Sequence, residues 1–410
     1  MLNLGQKTAF DYLSGTENVF LTGGAGTGKS FLVKQFLEDK DPKQFPVLAS
    51  TGSAAVLVGG RTFHSFFNLG IMEGGLEATI EKAIGDSKLV SRLHDVHGFI
   101  LDEVSMIPAV AFRAAEAIAR LVLNPSLPWG GLRVIAVGDF AQLPPVNIHG
   151  GQIDWVFKDP SWRASQFKKV VLSENMRSNQ DLFLEVLADL RVGNKSEKLL
   201  QFLQDHTRLA EESLDAVRLF PRKNKVETYN LEKLEEIEDQ PMEFFTEYDG
   251  NKKFIEKIKK SAPVPEKLVL KIGAFVMIRQ NDPMNRFVNG SLGHIMDIHS
   301  DEIDIDLLNG HNIRLERSQF SLLDPDGNIV ALARNFPISL AYATTIHKSQ
   351  GTTLDRMVVD ISSLWEPGQA YVALSRIRDP KNLYIEKWDK KSIKVSSEVV
   401  EFYKESFGGI

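Results

Sequence analysis

Apolar residues in the first part of the chain occur in short continuous runs, and helical patterns separate the runs. The apolar runs are NVFLTGG, FPVLAST, HGFILDEV and LRVIAVGDF, and the helical segments include KSFLVKQFLEDK and AFRAAEAIARLVL. Continuous apolar runs of this length between helices are typical of strands buried in a parallel sheet. The pattern therefore predicts an α/β fold with a parallel sheet up to about residue 165.

The pattern changes twice further along. KKVVLSENMR and AVRLFPRKNKVETYN indicate a second α/β region, which MVVDIS and NLYIEKW resume near the end. Between them, short stretches of alternating apolar and polar residues are separated by turn residues, in the segment VNGSLGHIMDIHSDEIDIDLLNGHNIRLE. This pattern favours a small antiparallel barrel or meander. NLGIMEGGLEATIEKAIGDSKLV is a partly helical, glycine-punctuated insertion.

Composition limits the class of protein. A chain of 410 residues with 43% apolar and 25% charged residues is expected to form two to four globular domains. It contains no cysteine, which excludes disulfides and thiolate metal sites, and it has neither a leader pattern nor an apolar run of membrane-spanning length. We therefore expect an intracellular protein without a membrane partner. The net charge of −6 does not exclude nucleic acid, because a binder needs only a local basic groove.

The clearest chemical motif is GGAGTGKS at residues 23–30, between a predicted strand and a predicted helix. Glycines in this pattern let backbone N–H groups point at phosphates, while the lysine neutralises charge and the hydroxyl binds Mg²⁺. The pattern predicts an ATP site. Its residues are Gly24, Ala25, Gly26, Thr27, Gly28, Lys29 and Ser30.

Acidic and amide side chains follow two other predicted strands. Asp102 and Glu103 end HGFILDEV, where Asp102 could hold Mg²⁺ through water and Glu103 could deprotonate the attacking water. An acidic pair at this place also suits a helix N-terminus. Gln142, in VIAVGDFAQLPPV, is placed to sense the γ-phosphate, and a strand-terminating turn would not explain it.

Two arginines are candidates to stabilise transition-state charge on the γ-phosphate. Arg177 lies in LSENMRSNQ and Arg376 lies in YVALSRIRD. A guanidinium in that position is worth roughly 10³–10⁵ in rate. Arginines are common on surfaces, and spacing alone does not select either one.

A second polar cluster, ATTIHKSQGTT at residues 343–353, follows the apolar run FPISLAYA. Together with the motifs above, STGSAA, GRTFHSFF and YVALSR, it resembles, in order, the motifs of superfamily 1 group B helicases. The match is closest to the petite integration frequency (PIF) family of DNA helicases, which also carry sequences like FVNGSLG. The resemblance extends from Gln6 to about Lys387 and suggests a short bacterial-type form without an N-terminal extension.

The resemblance implies a P-loop NTPase fold with two RecA-like motor domains that use ATP and Mg²⁺. The implied segments are 1–65 with 95–165 for the first motor domain, 66–94 for a strand-separating wedge, 166–254 with 336–410 for the second motor domain, and 255–335 for a barrel like a Src-homology-three domain that covers DNA. It also implies 5′-to-3′ movement along single-stranded DNA, action as a monomer, and tailed, forked or G-quadruplex DNA as substrates. Roles in DNA repair, recombination and telomere maintenance are implied as well, at the nucleoid in a bacterium or in the nucleus or mitochondrion of a eukaryote.

Individual residues receive roles from the same resemblance. Gln6 would bind the adenine edge, Arg177 and Arg376 would reach the γ-phosphate from the second motor domain, and Gln350 and Gly351 would face the phosphates. The residues expected on the DNA backbone are Thr51, Ser53, His64, Asn289, Thr345, His347 and Lys348. Taken alone, His347 and His64 also fit packed structural histidines, and a helix cap explains Ser53 equally well. Phe63, Phe66 and Phe67 are expected in the core.

Three other functions remain open at this point. A RecD-like or phage Dda-like helicase would use the same chemistry. A P-loop ATPase switch or kinase would act on protein or small molecules, and single-stranded DNA would not stimulate it. A DNA-binding module with a degenerate motor would lack hydrolytic residues, whereas Lys29, Glu103 and Arg376 are present.

Affinity for single-stranded DNA should come mainly from backbone electrostatics in a local groove, since the whole chain is acidic. We expect the logarithm of the binding constant to fall linearly with log salt, with a slope of about −0.7 per neutralised phosphate. Fluorescence anisotropy with labelled oligonucleotides of two base compositions measures this slope. A salt-independent affinity, or a strong preference for one composition, would contradict the prediction.

Overall fold

The computed structural model describes residues 2–145, 151–177, 180–209, 215–282, 284 and 286–408, and the statements below refer to these residues. The chain forms two compact units. The first comprises 1–176, 322–330 and 396–410, and the second comprises 177–321 and 331–395. Within the described residues, no helix is both long enough and apolar enough to span a membrane.

The first unit is built around a six-stranded parallel sheet in the order β3-β2-β4-β5-β1-β6. Its strands are β1 (Val19–Gly23), β2 (Val47–Ala49), β3 (Arg61–Thr62), β4 (Gly98–Leu101), β5 (Arg133–Val137) and β6 (Lys168–Leu172). Its helices up to residue 176 are α1 (Leu4–Ser14), α2 (Lys29–Leu37), α3 (Gly52–Leu57), α4 (Phe63–Phe66), α5 (Gly75–Ile84), α6 (Ser87–Asp95), α7 (Ala109–Val122) and α8 (Pro160–Ala164).

The four apolar runs predicted as strands are confirmed as β1, β2, β4 and β5, and the two predicted helices are confirmed as α2 and α7. All five residues of β1 are buried, which explains why its sequence does not alternate. The sequence-based boundary at residue 166 differs from the structure. KKVVL forms β6, which pairs in parallel with β1 and so extends the first sheet instead of starting the second unit.

Aromatic side chains fill one region of the first core. Phe63, Phe66 and Phe67 are all fully buried, as expected, and pack around Phe99 of β4. Trp129 closes the cluster with its ring centroid 5.3 Å from that of Phe99. These rings contribute packing and are not available as base-stacking platforms.

The second unit contains a four-stranded parallel sheet in the order β18-β7-β19-β20, together with antiparallel sheets of two, three and five strands. Its helices are α9 (Asp181–Val192), α10 (Glu197–Asp205), α11 (Lys223–Glu235), α12 (Lys252–Ser261) and α13 (Gln369–Leu374). Its strands are β7 (Val217–Phe220), β8 (Met242–Phe245), β9 (Glu247–Gly250), β10 (Lys267–Leu270), β11 (Phe275–Ile278), β12 (Leu292–Ile298), β13 (Glu302–Leu307), β14 (Asn312–Glu316), β15 (Ser318–Leu323), β16 (Ile329–Asn335), β17 (Ile338–Leu340), β18 (Ala343–Thr345), β19 (Met357–Ile361) and β20 (Leu383–Trp388).

The predicted antiparallel insertion is present, with wider bounds than its sequence pattern indicated. Five strands pair in the order β14-β13-β12-β11-β17, β8 pairs with β10, and β9 pairs with β16. Apolar residues from these strands form one core that includes Phe244, Ile295, Ile305 and Phe336. The insertion thus starts before residue 255, because β8 and β9 belong to its sheets, and it continues to β17.

The tip of the β15–β16 hairpin, residues 322–330, belongs to the first unit. There Arg92 of α6 forms an ion pair with Asp326, and the Arg61 guanidinium donates a 2.6 Å hydrogen bond to the Pro325 carbonyl. Both guanidinium groups also lie over the Phe66 ring, at 5.4 Å for Arg92 and 5.7 Å for Arg61.

The partly helical insertion predicted before residue 95 is confirmed as α5 and α6.

The last helix, α14 (Ser397–Phe407), also packs in the first unit, although the family resemblance implied that residues 336–410 belong to the second. Its Tyr403 is 1% exposed. The Phe402 ring stacks on Phe157 with centroids 4.5 Å apart. An amphipathic helix shows that it needs a partner, but its sequence does not identify which core supplies one.

Candidate active site

The phosphate-binding motif connects β1 to α2, as predicted. Gly28 has left-handed backbone angles, and α2 begins at Lys29. The Lys29 ammonium donates hydrogen bonds to the carbonyls of Gly23 at 2.8 Å and Gly24 at 3.0 Å. The lysine is therefore folded over its own loop, at the place where the motif would hold phosphate oxygens.

Gln6 lies directly against this loop. It completes a capping box with Asn3 at the start of α1, is 3% exposed, and donates from its side-chain amide to the Thr27 carbonyl at 3.4 Å. A Cβ at Gly28 would lie 2.6 Å from the Gln6 amide nitrogen, and φ there is +89°. Gly28 is thus required both for the turn and for the approach of Gln6.

The acidic pair follows β4, on the same side of the sheet as the phosphate loop. The Asp102 carboxylate accepts the Glu103 N–H at 2.9 Å, and Glu103 has a left-handed φ of +51°. Burial raises the pKa of Asp102, while the Glu103 N–H and the Lys29 charge oppose that rise. A left-handed backbone is costly for a residue with a side chain, and such residues cluster at functional sites, although Asn68, Met72, Trp129 and Gln166 also adopt it here.

The residues at this edge suit a hard cation such as Mg²⁺. The Ser30 hydroxyl and the Asp102 carboxylate are oxygen ligands, and Mg²⁺ commonly uses one or two protein ligands together with phosphate oxygens and waters. Among the described residues there is no group of three or more His, Asp or Glu that would make an all-protein cage. A bound cation would also stabilise the Asp102 carboxylate and so lower the pKa that burial raises.

Gln142 follows β5, at the neighbouring position of the sheet. It is 5% exposed, and its N–H donates to the Asp139 carbonyl at 2.9 Å. Asp139 is fully buried, and its carboxylate accepts the Tyr403 hydroxyl at 3.0 Å. Val146, the last residue of the predicted glutamine motif, lies outside the described residues.

Tyr403 joins the ends of two strands through its hydroxyl. Besides Asp139, this oxygen lies 2.9 Å from the Thr22 hydroxyl in β1 and accepts the Phe140 N–H at 3.1 Å. The phosphate loop begins just after Thr22, and the Gln142 loop begins at Asp139. Tyr403 therefore fixes both loops relative to each other, and the sequence carried no motif to reveal it.

Arg177 and Arg376 both belong to the second unit and meet around Ser375. Arg177 donates to the Ser375 carbonyl, and Arg376 donates to the Ser375 hydroxyl at 2.8 Å. Burial lowers the pKa of Arg177 to about 9, and the charge of Arg376 adds to that effect. Because both guanidinium groups bond to Ser375, they lie close together inside this unit. The Arg376 side chain is buried, with 2% exposed.

The second polar cluster forms β18 and the turn after it. Thr345 is buried, and its hydroxyl accepts the Lys348 N–H at 3.0 Å, so the predicted DNA-facing threonine caps this turn in the structure. His347 is partly exposed and lies 3.2 Å from a Glu366 carboxylate oxygen. Loss of hydration lowers the pKa of Lys348, and the charges of Lys223 and Arg279 lower it further.

The Asn289–Gly290 turn packs against the end of this cluster. Gly290 has φ +100°, and a Cβ there would lie 3.2 Å from the Thr353 carbonyl oxygen. The Asn289 N–H donates to the Asn281 side chain at 2.9 Å, while its own Oδ1 is buried without a hydrogen-bond partner among the described residues. The VNG sequence is thus explained by a close approach of two backbones.

The remaining predicted DNA contacts lie in the first unit. Thr51 caps α3 by accepting the Ala54 N–H at 3.2 Å, and the Ser53 hydroxyl lies 3.2 Å from the Thr51 hydroxyl. The helix cap is therefore Thr51 and not Ser53. Burial lowers the pKa of His64, which favours a neutral imidazole with one N–H to donate.

Comparison with known proteins identifies the family. The model of the PIF1-like helicases matches residues 1–200. A Bdellovibrio bacteriovorus protein named ATP-dependent DNA helicase Pif1 is 52% identical, with 98% of this chain and 92% of that protein covered. A Campylobacter jejuni protein of the same name is 34% identical, with 95% of this chain and 94% of that protein covered. The chain belongs to the PIF1-like helicase family.

Solved structures agree with this membership. The crystal structure of Bacteroides sp Pif1 in complex with ADP-AlF4 matches with a TM-score of 0.86 and 27% identity, covering 100% of this chain and 99% of that one. The predicted architecture of two RecA-like parallel-sheet domains with a small β insertion is confirmed, and the PIF1-like chain is an ATP-hydrolysing enzyme.

The site residues of this PIF1-like chain fall into two groups, one in each unit. The first unit brings together Gln6, residues 24–30, the acidic pair and Gln142. The second brings together Arg177 with Arg376, and it packs the Asn289–Gly290 turn against Thr352 and Thr353 at the end of the polar cluster. Sequence reasoning missed Tyr403 and Glu366, as well as the cations Lys223 and Arg279. Glu366 stands three residues before Gln369 in WEPGQ, directly ahead of the YVALSR motif, which is the one signal that could have drawn attention to it.

Removing the Tyr403 hydroxyl should destabilise the first unit. Tyr403→Phe keeps the ring but leaves Thr22, Asp139 and the Phe140 N–H without this partner, so we expect unfolding free energy to fall by about 1–3 kcal/mol. Tyr12→Phe, on an exposed side chain of the same unit, is the matched control and should change it by less than about 0.5 kcal/mol. Urea denaturation measures both. Equal stability of the two variants would contradict the role given to Tyr403.

Proposed function

We propose that this protein is an ATP- and Mg²⁺-dependent DNA helicase that moves 5′-to-3′ along single-stranded DNA and separates the duplex ahead of it. The observation that carries the proposal is the arrangement of the first unit. The phosphate loop, the acidic pair and the Gln142 loop leave the carboxyl ends of β1, β4 and β5, which are neighbours in one parallel sheet. Because the chain belongs to the PIF1-like helicases, we take DNA as its substrate.

The hydrolytic roles follow from the chemistry of these side chains. Lys29 would leave the Gly23 and Gly24 carbonyls to neutralise the β and γ phosphates, and Glu103 would orient and deprotonate the attacking water. Gln142 would sense the γ-phosphate, and Gln6 would bind the adenine edge. Ser30 and Asp102 would hold Mg²⁺, which supplies charge neutralisation at the phosphates when bound.

Arg177 and Arg376 are assigned to the charge that develops on the γ-phosphate. Burial lowers the pKa of Arg177 to about 9, and repulsion from the Arg376 guanidinium beside the same serine lowers it further. An anionic oxygen would relieve this repulsion, and it would do so most strongly as transition-state charge accumulates. Gln350 and Gly351 are assigned to the same phosphates.

The DNA contacts are assigned to groups that bind phosphate and sugar without reading bases. Burial lowers the pKa of Lys348, and the charges of Lys223 and Arg279 lower it further, so we assign these three cations to DNA phosphates. Thr51, Ser53, His64, Asn289, Thr345 and His347 complete the assignment. Related structures support it, since Bacteroides Pif1 has been solved bound to single-stranded DNA, and another structure concerns DNA unwinding at forked duplex DNA by two coordinating Pif1 helicases.

Further details rest on resemblance to the PIF family alone. They are the 5′-to-3′ polarity, action as a monomer, and activity on tailed duplexes and G-quadruplexes. Of these, polarity is the property that one assay decides.

A polarity assay tests the proposed function. Duplexes with a single-stranded tail on only the 5′ side or only the 3′ side are mixed with the protein, ATP and Mg²⁺. We expect unwinding of the 5′-tailed duplex alone, and stimulation of ATP hydrolysis by single-stranded DNA. Strand separation is followed by gel or fluorescence. Preference for the 3′ tail would exclude the polarity, and ATP hydrolysis indifferent to DNA would favour a P-loop switch.

Hydrolysis should depend on Lys29, Glu103 and Arg376 in separable ways. Lys29→Ala should lose nucleotide affinity and turnover, while Glu103→Gln should retain ATP binding and lose turnover. Arg376→Ala should lower kcat by about 10³-fold or more with a modest change in nucleotide affinity. Steady-state kinetics and binding of a fluorescent ATP analogue separate these effects. Near-normal turnover of Glu103→Gln would refute its assignment as the base.

A further inference from the structure

Glu366 lies between the candidate DNA-contacting histidine and the helix that precedes Arg376. One oxygen of its carboxylate, Oε2, is 3.2 Å from His347 Nε2 and accepts the Gln369 side-chain amide at 3.0 Å. The hydrogen bond from His347 lowers the pKa of Glu366. A single carboxylate oxygen therefore connects the turn after β18 to the first residue of α13.

Gln369 anchors this connection inside the second unit. It is fully buried, and its side-chain oxygen accepts the Trp365 N–H at 3.2 Å and the Glu366 N–H at 3.3 Å. The Arg222 guanidinium lies 5.4 Å from the centroid of the Trp365 ring on the same loop. The loop before α13 is thus held on both sides, so Glu366 has little freedom to follow His347 independently of the helix.

The other end of α13 is also joined to the His347 segment. Arg376 donates to the Val372 carbonyl at 2.8 Å and to the Ser349 carbonyl at 3.4 Å. Beyond it, the Leu354 N–H donates to the Arg376 carbonyl at 2.9 Å. The segment from His347 to Leu354 therefore contacts both ends of the stretch from Glu366 to Arg376.

Between these ends, α13 is a stiff element. Each of its six residues, Gln369–Leu374, is buried in the second unit. A buried, packed helix moves as a body because neighbouring side chains leave it no room to bend. A displacement at Glu366 would consequently reach Arg376, which lies just beyond the other end of this helix.

We propose that Glu366 is a positioning residue that couples DNA contact at His347 to the placement of Arg376. Its carboxylate fixes the orientation of the imidazole, as a hydrogen-bond partner of one ring nitrogen commonly does. Through Gln369, the carboxylate then transmits the position of the imidazole to α13. This inference rests on the proposed function, because it takes His347 as a DNA contact and Arg376 as a γ-phosphate contact.

The test compares ATP turnover with and without a saturating single-stranded thymidine oligonucleotide. In Glu366→Ala we expect the stimulation ratio to fall by about fivefold or more, the lower range of coupling between sites, while the dissociation constant for the oligonucleotide changes less than the ratio does. In the double variant His347→Ala with Glu366→Ala, the ratio should match that of His347→Ala alone within about twofold, because both changes interrupt one connection.

Asp215→Ala is the matched control. Asp215 lies 2.9 Å from His294 Nε2 in the same unit, and the exposures of that pair, 35% and 33%, resemble those of Glu366 and His347, 34% and 38%. It should leave the stimulation ratio unchanged. Melting temperatures of all variants are measured on the same preparations, so that a loss of folded protein is separated from a loss of coupling.

The outcomes separate this inference from the proposed function. No stimulation of the unmodified protein would contradict the function itself. Lowered stimulation in His347→Ala with full stimulation in Glu366→Ala would overturn the role of Glu366 alone. Losses that multiply in the double variant would overturn it as well, because they would show two independent contacts.

Discussion

The parallel pairing of β1 with β5 on one side and β6 on the other is the constraint on which the candidate ATP site depends. Leu21 pairs with Val137 and with Val170, so these strands end at nearly the same level. Because carboxyl ends of parallel strands share one edge, the loops that follow β1, β4 and β5 converge there. The pairing is stabilised by burial of β1 on both faces, and the chemistry at its end is a consequence of that burial.

The two arginines and the cations near Lys348 show a second, electrostatic constraint. Arg177 and Arg376 meet at one serine, and Lys348 lies within the influence of Lys223 and Arg279. Grouping like charges in a partly dehydrated place costs free energy in the folded protein. Proteins keep such groups where an anion is to be bound, and Arg177, Arg376 and Lys348 lie in motifs that sequence reasoning assigned to nucleotide or DNA phosphates.

How far the sequence could predict the structure depends on how local the signal is. Lys29 and Gly28 were predictable because a phosphate loop needs only eight consecutive residues. Tyr403 was not, because its partners Thr22 and Asp139 are distant in sequence and any amphipathic helix can carry a tyrosine. β6 was assigned to the wrong unit because an apolar run shows that a strand is buried without showing which strand it pairs with. The DNA contact of Thr345 stays a prediction, but its role as the cap of its own turn was not predictable, because that hydrogen bond depends on the fold.

The return of α14 to the first unit has a consequence for synthesis of the protein. Residues 396–410 leave the ribosome only after the whole second unit has been made, yet the Tyr403 hydroxyl completes the hydrogen bonding of Thr22, 381 positions earlier. The entropic cost of closing a loop rises only slowly with its length, so the great sequence separation weakens the finished contact little. During translation, however, Thr22 and the Phe140 N–H lack the Tyr403 hydroxyl until α14 has been made. We therefore expect the first unit to gain its full stability only after Tyr403 has been added to the chain.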